Sequence, residues 1–340
     1  MRATLYACLA VLLALPAAAD SPKVTPEGPV WDTSPGFAFP GADKPKKLRR
    51  SLSGIACPSE SNEPRHCIAV FDEGGEARYA IIDGTRFTPQ PERILLLAGN
   101  GELDAEGAAS HGGFAYVTGS HSRKREPCLP NPNSRHVYRL ALQPDGRVQP
   151  SSQPVDDQGR LWRLLSANPT LGPFADKCLG KDGHGINIEG LAVRNGQLYF
   201  GFREPAQDKK AYILRVAARA LFEGGDLAPR LFILEAGKAS GIRDLLAVPE
   251  GLLVLVGPDD DSKKEVSWWI GFWDGSDASA NIALRRLAEL KLPAVNGDDC
   301  QREIKPEAMT LLADGPDFRR ILILSDGMCD GGPLAFRIRK

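Results

Sequence analysis

The sequence predicts an all-β chain folded as a single β-propeller, most simply of five blades. Three observations lead there. A unit of three short apolar strands recurs five times. A fourth apolar run follows four of the copies. The repeat falls every fifty to eighty residues or so, the pattern of four-stranded propeller blades. The clearest copy is N-I-E-G-L-A-V-R-N-G-Q-L-Y-F-G-F-R-E-P, from Asn187 to Pro205, followed by A-Y-I-L-R-V (211–216). Its Asn195-Gly196 pair between two apolar runs is the strongest two-residue hairpin signal. Leu198 to Phe202 alternates and is rich in aromatics, which suits a pleated sheet with a buried face.

In chain order, residues 1–19 read as an export signal. Arg2 supplies the positive start, Leu5 to Leu15 a short apolar core, and Ala17-Ala18-Ala19 a small-residue cleavage site. The expected location is periplasmic or secreted. Residues 20–47 are rich in Pro and Gly and read as an extended lead-in. The propeller domain is expected over 48–340, closed by an N-terminal strand from F-A-F-P (37–40) or K-K-L-R-R (46–50). Such closure removes exposed sheet edges.

Copy one is S-G-I-A (53–56), C-I-A-V-F-D-E (67–73) and R-Y-A-I-I-D (78–83), with R-I-L-L-L-A (93–98) as fourth strand. Copy two is D-A-E-G-A-A (104–109), F-A-Y-V-T-G-S-H (114–121) and H-V-Y-R-L-A-L (136–142), with R-L-W-R-L-L (160–165) in the fourth slot. The segment 150–185 is long for a connection, and a degenerate blade inside it would make the count six. Copy three takes R-L-F-I-L-E (230–235) as its fourth strand, after one or two helical turns over 216–222. Copy four is G-I-R-D-L-L-A-V (241–248), L-L-V-L-V-G-P (252–258), W-W-I-G-F-W (268–273) and R-L-A-E-L-K-L (286–292). Copy five is K-P-E-A-M-T-L (305–311), I-L-I-L-S-D (321–326) and L-A-F-R-I (334–338). Nothing after it supplies a fourth strand, so the lead-in is expected to do so. Trp268, Trp269 and Trp273 are expected to pack between blades.

Beyond the leader, six cysteines remain, an even number in a chain read as exported, and this points to disulfides. Cys57 and Cys67 flank one hairpin. Cys128 follows the second strand of blade two, and Cys178 enters blade three on the same face. Cys300 and Cys329 hold the matching places around blade five. The expected pairs are Cys57–Cys67, Cys128–Cys178 and Cys300–Cys329. No C-x-x-C pair offers a start for a zinc site.

The chain carries 42 basic and 43 acidic residues, a net charge of −1 that becomes −2 without Arg2. That near-neutrality gives no global attraction to nucleic acid or anionic membrane. No later apolar segment is long enough to span a bilayer.

In a propeller, residues opening the first strand and closing the second strand of each blade ring one mouth of the channel. The openers are Ser53, Glu106, Glu189, Arg243 with Asp244, and Glu307. The closers are Asp72 and Glu73; Ser120, His121 and Arg123; Arg203 and Glu204; Asp259; and Asp326. Loop residues aimed into a concave mouth are where sites usually lie. Clustered carboxylates repel unless a cation intervenes. Hard oxygen ligands suit Ca²⁺ or Mg²⁺, whereas Arg203 and Arg243 would neutralise them directly. Capping of local backbone amides is the structural alternative for each Glu. His121 is a candidate proton carrier or a polar loop anchor. His136 and His184 are expected near the same face, and Asp259-Asp260-Asp261 is expected as a solvated turn, with Ca²⁺ binding the alternative.

The phrases L-S-G-I-A (52–56), L-D-A-E-G-A-A (103–109), Y-V-T-G-S-H-S-R (116–123), I-N-I-E-G-L-A-V (186–193), L-Y-F-G-F-R-E-P (198–205), G-I-R-D-L-L (241–246) and K-P-E-A-M-T (305–310) together resemble the bacterial proteins of domain-of-unknown-function family 3616. The resemblance runs from about Leu48 to the C-terminus and implies the propeller fold without an activity. The x-E-G-[LI]-A phrase is also similar to phytase-like and esterase-like secreted propellers, which by analogy implies an acidic, Ca²⁺-assisted phosphoester site. Ser53 and Arg243 break the Glu pattern, which implies an asymmetric pocket with both signs of charge.

Two functional expectations follow. One is a metal-assisted phosphoester or ester hydrolase. There Glu106, Glu189, Glu307 and Asp326 hold Ca²⁺ or Mg²⁺, and Arg203, Arg243 and His121 act in catalysis. Ser120, Arg123 and Glu204 bind a small anionic substrate. The other is a non-catalytic propeller that binds a ligand or a protein partner through the same mouth.

Overall fold

The computed structural model describes residues 21–58, 64–99, 101–180 and 184–340. The expected export signal lies outside them. Five sheets are arranged as blades. Ahead of blade one come the short strand β1 (Lys23–Val24) and helix α1 (Pro45–Arg49). Blade one is β2 (Leu52–Ala56), β3 (Arg65–Phe71), β4 (Glu76–Asp83) and β5 (Arg86–Leu95). Blade two is β6 (Ala105–His111), β7 (Phe114–Gly119), β8 (Val137–Ala141) and β9 (Val155–Asp156), followed by α2 (Arg160–Ala167). Blade three is β10 (Asn187–Arg194), β11 (Gln197–Glu204), β12 (Lys210–Ala217) and, after α3 (Ala218–Glu223), β13 (Arg230–Glu235). Blade four is β14 (Ser240–Val248), β15 (Gly251–Pro258), β16 (Trp269–Trp273) and, past the short β17 (Asn281–Ile282), β18 (Arg285–Leu290). Blade five is β19 (Gln301–Asp314), β20 (Phe318–Met328) and β21 (Leu334–Arg339).

The inner strands contact one another in the closed order β2, β6, β10, β14, β19 and back to β2. That ring makes the count five. Each gap between neighbouring blades is filled by its own apolar cluster. Ile68, Val70, Ala105 and Val117 fill the gap between blades one and two. Leu191, Phe200, Val137 and Tyr116 fill the next, joined by Leu161 and Leu165 of α2. Leu245, Val254, Phe232 and Trp273 lie between blades three and four. Leu253, Ile270, Met309 and Phe336 lie between four and five. Leu52, Phe71, Leu322 and Ala335 close the circle with Phe37 and Phe39 of the lead-in. Alternation along each strand therefore feeds two interfaces rather than one core and one solvent face. The expected hairpin forms on Asn195 and Gly196, both at positive φ (51° and 70°), with Arg194 paired to Gln197. Trp269 and Trp273 are buried between blades three and four, and Trp268 packs against the next interface.

Closure does come from the N-terminal segment, but through other residues than those expected. The Glu27 N–H donates to Ala335 O at 2.8 Å and the Trp31 N–H to Pro333 O at 2.9 Å, alongside β21. Phe37 and Phe39 serve as core side chains, and Lys46 to Arg49 lie in α1. Two outer edges receive a further strand: β1 pairs in parallel with β18, and β17 with β13. Both additions cover edges that would otherwise template aggregation. In blade one the outer strand β5 carries Pro89 and Pro91, which an edge strand tolerates.

One expected strand is a helix. R-L-W-R-L-L lies in α2, because Leu161 and Leu165 are four residues apart and both point into the core. The Asp157 carboxylate supports the helix start, accepting from the N–H groups of Leu161 (2.8 Å) and Gly159 (3.1 Å). The fourth strand of blade two is instead the two-residue β9, paired with β8. The helical turns expected over 216–222 are α3. All three expected disulfides are present: Cys57–Cys67, Cys128–Cys178 and Cys300–Cys329.

Candidate functional site at the channel mouth

Five inner strands carry the same irregularity at the same place. Register shifts fall between Leu52 and Gly54, Ala105 and Gly107, Ile188 and Gly190, Ile242 and Asp244, and Pro306 and Ala308. The residues skipped are Ser53, Glu106, Glu189, Arg243 and Glu307, the five openers picked out in the sequence. A bulge leaves its extra residue unpaired and re-aims the side chain. In three blades Gly follows the bulge for a steric reason. A Cβ on Gly107 would lie 2.7 Å from Leu191 Cβ and 3.0 Å from Glu189 O. A Cβ on Gly54 would lie 2.9 Å from Glu106 O. The next bulge passes too close for any side chain. Blade four has Asp244 there, and its carboxylate accepts from the N–H of Leu245 (2.7 Å) and of Met309 (2.6 Å).

The blade-three-to-five sector is a closed network of ion pairs. Arg203 Nη1 meets Glu189 Oε1 at 2.8 Å, and its Nη2 meets Asp261 Oδ1 at 2.5 Å. Its Nε donates to Asp259 O at 2.9 Å. Arg243, fully buried, lies with Nε 2.7 Å from Glu189 Oε2 and Nη1 3.3 Å from Asp261 Oδ1. Its Nη2 pairs with Glu307, and its guanidinium sits 5.2 Å from the Trp268 ring centre. Lys305 Nζ pairs with Asp326 and lies 3.3 Å from Asp261 Oδ2. Burial would raise the Asp261 carboxyl, but Arg203, Arg243 and Lys305 together hold it well below its usual range. Asp261 is thus part of the interior network, a correction to its expected place in a solvated turn.

The sector of blades one and two differs. Among the described residues the Glu106 carboxylate has no hydrogen bond or ion pair. Burial, then Glu189, Asp104 and Asp72, push its pKa well up. Asp72 is pushed up likewise, by burial, Asp326 and Asp104, and its buried Oδ1 has no hydrogen-bond partner. Asp104 accepts from Ser120 Oγ and from Ser122 Oγ (3.2 Å). Glu307 spans the two sectors. Its second oxygen accepts from Ser53 Oγ at 3.3 Å, and burial outweighs Arg243 to raise its pKa to about 8.

Other predicted site residues lie apart from this network. Arg123 turns to the disulfide loop, donating from Nε to Cys128 Sγ at 3.3 Å and from Nη2 to Cys128 O at 3.2 Å. Glu204 accepts from the Gly180 N–H at 3.3 Å, and burial raises its carboxyl to about 7. The His121 ring is stacked on Trp162 with centroids 6.3 Å apart. It is 1 % exposed and neither ring nitrogen has a hydrogen-bond partner; burial holds its pKa down at about 3. His136 pairs with Asp156 at 3.0 Å. His136, Asp156 and Asp157 are close enough to share an ion, but Asp157 already caps α2.

Sequence reasoning passed over Lys305, Asp104 and Asn187, each two residues ahead of a bulged Glu in K-P-E, D-A-E and N-I-E. The two-residue period of a strand was the signal that could have found them. Asn187 Nδ2 donates to Glu189 Oε1 at 3.1 Å.

Comparison with known proteins gives a family. The family described as "Protein of unknown function (DUF3616)" matches residues 91–145 and 142–331. No curated protein matches the sequence. Among solved structures, an endo-1,4-beta-xylanase from Bacteroides thetaiotaomicron is 10 % identical with a TM-score of 0.42, covering 86 % of this chain and 90 % of that one. The Bacillus subtilis arabinanase Arb43A is 10 % identical with a TM-score of 0.39, covering 85 % and 94 %. A chain of ctPRC2 in complex with H3K27me3 and H3K27M is 8 % identical with a TM-score of 0.37. That match covers 80 % of this chain and 52 % of that one, so the protein spans about half its length.

Proposed function

The chain belongs to the DUF3616 family, which assigns no activity; from the chemistry of its channel mouth we propose a ligand-binding propeller that takes a divalent cation, Ca²⁺ or Mg²⁺, beside Glu106. The observation that carries this reading is the Glu106 carboxylate itself: half-buried at the channel mouth, raised in pKa by desolvation and then by neighbouring acids, and in no hydrogen bond or ion pair among the described residues. Asp72 and Glu307, whose second oxygen faces Ser53, add to the negative field at Glu106. Hard cations favour such ligands. Glu189 and Asp326 contribute to the field, although their own partners are Arg203, Arg243 and Lys305. A small anionic molecule is the ligand class that a bound cation would draw to the mouth, with Ser120 and Glu204 on its rim. We place the protein in the periplasm or outside the cell. The three disulfides suit an oxidising compartment, and no helix among the described residues is long and apolar enough to cross a membrane.

Binding is favoured over hydrolysis by the state of the residues that hydrolysis would use. Arg203 and Arg243 already hold carboxylates, so neither of these two guanidinium groups is free to clamp a phosphate. The His121 imidazole, with a pKa near 3, is a weak base at neutral pH. The test is a melting series in millimolar CaCl₂ or MgCl₂ at mildly alkaline pH, where the raised carboxyls ionise. A ligand at a hundred times its Kd adds about 2.7 kcal/mol to stability. The wild type should gain in Tm and Glu106→Gln should not. An equal gain in both, or none in the wild type, would sink the cation reading. Turnover of generic phosphoesters that is lost in Glu189→Ala at unchanged Tm would restore the hydrolase.

A further inference from the structure

The same inner strands that carry charge at one end of the channel build a different chamber at the other. A cavity of about 440 Å³ lies among their C-terminal halves, walled by Ile55, Ala108, Leu191, Leu245 and Met309. None of the five bulged residues lines it, so it is separate from the charged mouth. Its outer lining includes His111 at the end of β6 and Asn195 in the turn between β10 and β11, both exposed, which shows that the chamber opens to solvent on the far face. Its volume falls within the range of small-molecule pockets, and apolar walls with few polar groups are their usual composition.

The rim decides what kind of molecule fits. Three charged side chains line the chamber, Arg65, Arg194 and Asp314; Arg65 is buried in the wall and donates from Nη1 to Leu311 O at 2.6 Å, which leaves the other two for the rim. Asp314 is matched, with Oδ1 3.2 Å from Arg319 Nε and 2.6 Å from Lys340 Nζ. Arg194 is not: Nη2 donates to Pro249 O at 3.1 Å, and no carboxylate among the described residues lies within ion-pair distance. The uncompensated charge at the opening is therefore a guanidinium, the group best suited to a planar carboxylate.

We propose that this chamber binds an elongated amphipathic carboxylate, of the medium-chain fatty-acid class. The apolar body lies along the channel between Leu191, Leu245 and Met309, and the head meets Arg194 at the rim. The side chain of Ala247, partly accessible in the lining, marks where the chamber can be filled without touching the head site.

The test is calorimetric titration of the whole protein with decanoate, below its micellar range, and with decanol as the neutral counterpart. Saturable one-to-one binding of decanoate is expected. Ala247→Phe should weaken it at least tenfold while the melting temperature holds. Ala109→Phe, across the channel in blade two, serves if the first variant does not fold. Arg194→Gln should weaken decanoate about tenfold, the range of one charged hydrogen bond, and leave decanol unchanged. Non-saturable uptake, or equal affinity in the wild type and a folded chamber-filling variant, would overturn the proposal. Equal losses of decanoate and decanol in Arg194→Gln would overturn the assignment of the head site.

Discussion

Replacing Arg243 by Met tests whether the ion-pair network holds blades three, four and five together. The guanidinium is fully buried and lies within ion-pair distance of Glu189, Asp261 and Glu307. Met keeps much of the stem against Trp268 and removes only the charge. Two of the three carboxylates retain a cation: Glu189 has Arg203 at 2.8 Å, and Asp261 has Arg203 at 2.5 Å and Lys305 at 3.3 Å. Glu307 loses its guanidinium and keeps the Ser53 hydroxyl at 3.3 Å. Breaking a buried pair from one side costs about 3–5 kcal/mol, because a charge is stranded. That is a large share of the roughly 5–15 kcal/mol that holds a domain folded. The assay is urea unfolding at alkaline pH, above the Glu307 value of about 8, with the disulfides intact. Arg243→Met alone should lose about 3–5 kcal/mol. Adding Glu307→Gln removes the stranded charge, so the double variant should be more stable than the single one. The reasoning is refuted if the single variant stays within about 1 kcal/mol of wild type. It is equally refuted if Glu307→Gln further destabilises the Arg243→Met background.

Two further outcomes follow from the same geometry. The Glu204 carboxyl is raised from 4.5 to about 7 by burial, so the folded state holds its proton more tightly than the unfolded chain. Wild-type stability should therefore fall relative to Glu204→Gln as pH climbs from about 4 to about 8, by about 3 kcal/mol; parallel pH profiles in unfolding titrations would show that Glu204 is not the group responsible. Gly107→Ala forces a Cβ to 2.7 Å from Leu191 Cβ and 3.0 Å from Glu189 O, and should cost about 1–3 kcal/mol. Gly28→Ala, with nothing within 4 Å, is the matched control and should stay within about 0.5 kcal/mol on the same denaturation assay.

Much of the fold was legible because its signals are local. Asn195-Gly196 announces a turn, apolar runs announce strands, and their recurrence announces blades. The cysteine pairs could be named because repeated blades place equivalent loops on one face. Segment 160–165 misled because a six-residue apolar run serves strand and helix alike, and only the burial of Leu161 with Leu165 separates them. The closing residues were missed because Glu27 and Trp31 act through backbone N–H groups, which carry no sequence mark.

At the mouth, sequence alone determined which five residues open the inner strands, since L-S-G, D-A-E-G, I-E-G, I-R-D and P-E-A stand in corresponding places. Tertiary structure decided what they do there. Ion pairing depends on distance, and Glu189 of blade three and Glu307 of blade five come within reach of Arg243 of blade four only once the ring closes. The closed ring also leaves Glu106 without an ion pair among the described residues, because Arg203, Arg243 and Lys305 enter from blades three, four and five and pair with other carboxylates there. A charge's partner is a property of the space around it, and that space is assembled from strands distant in sequence.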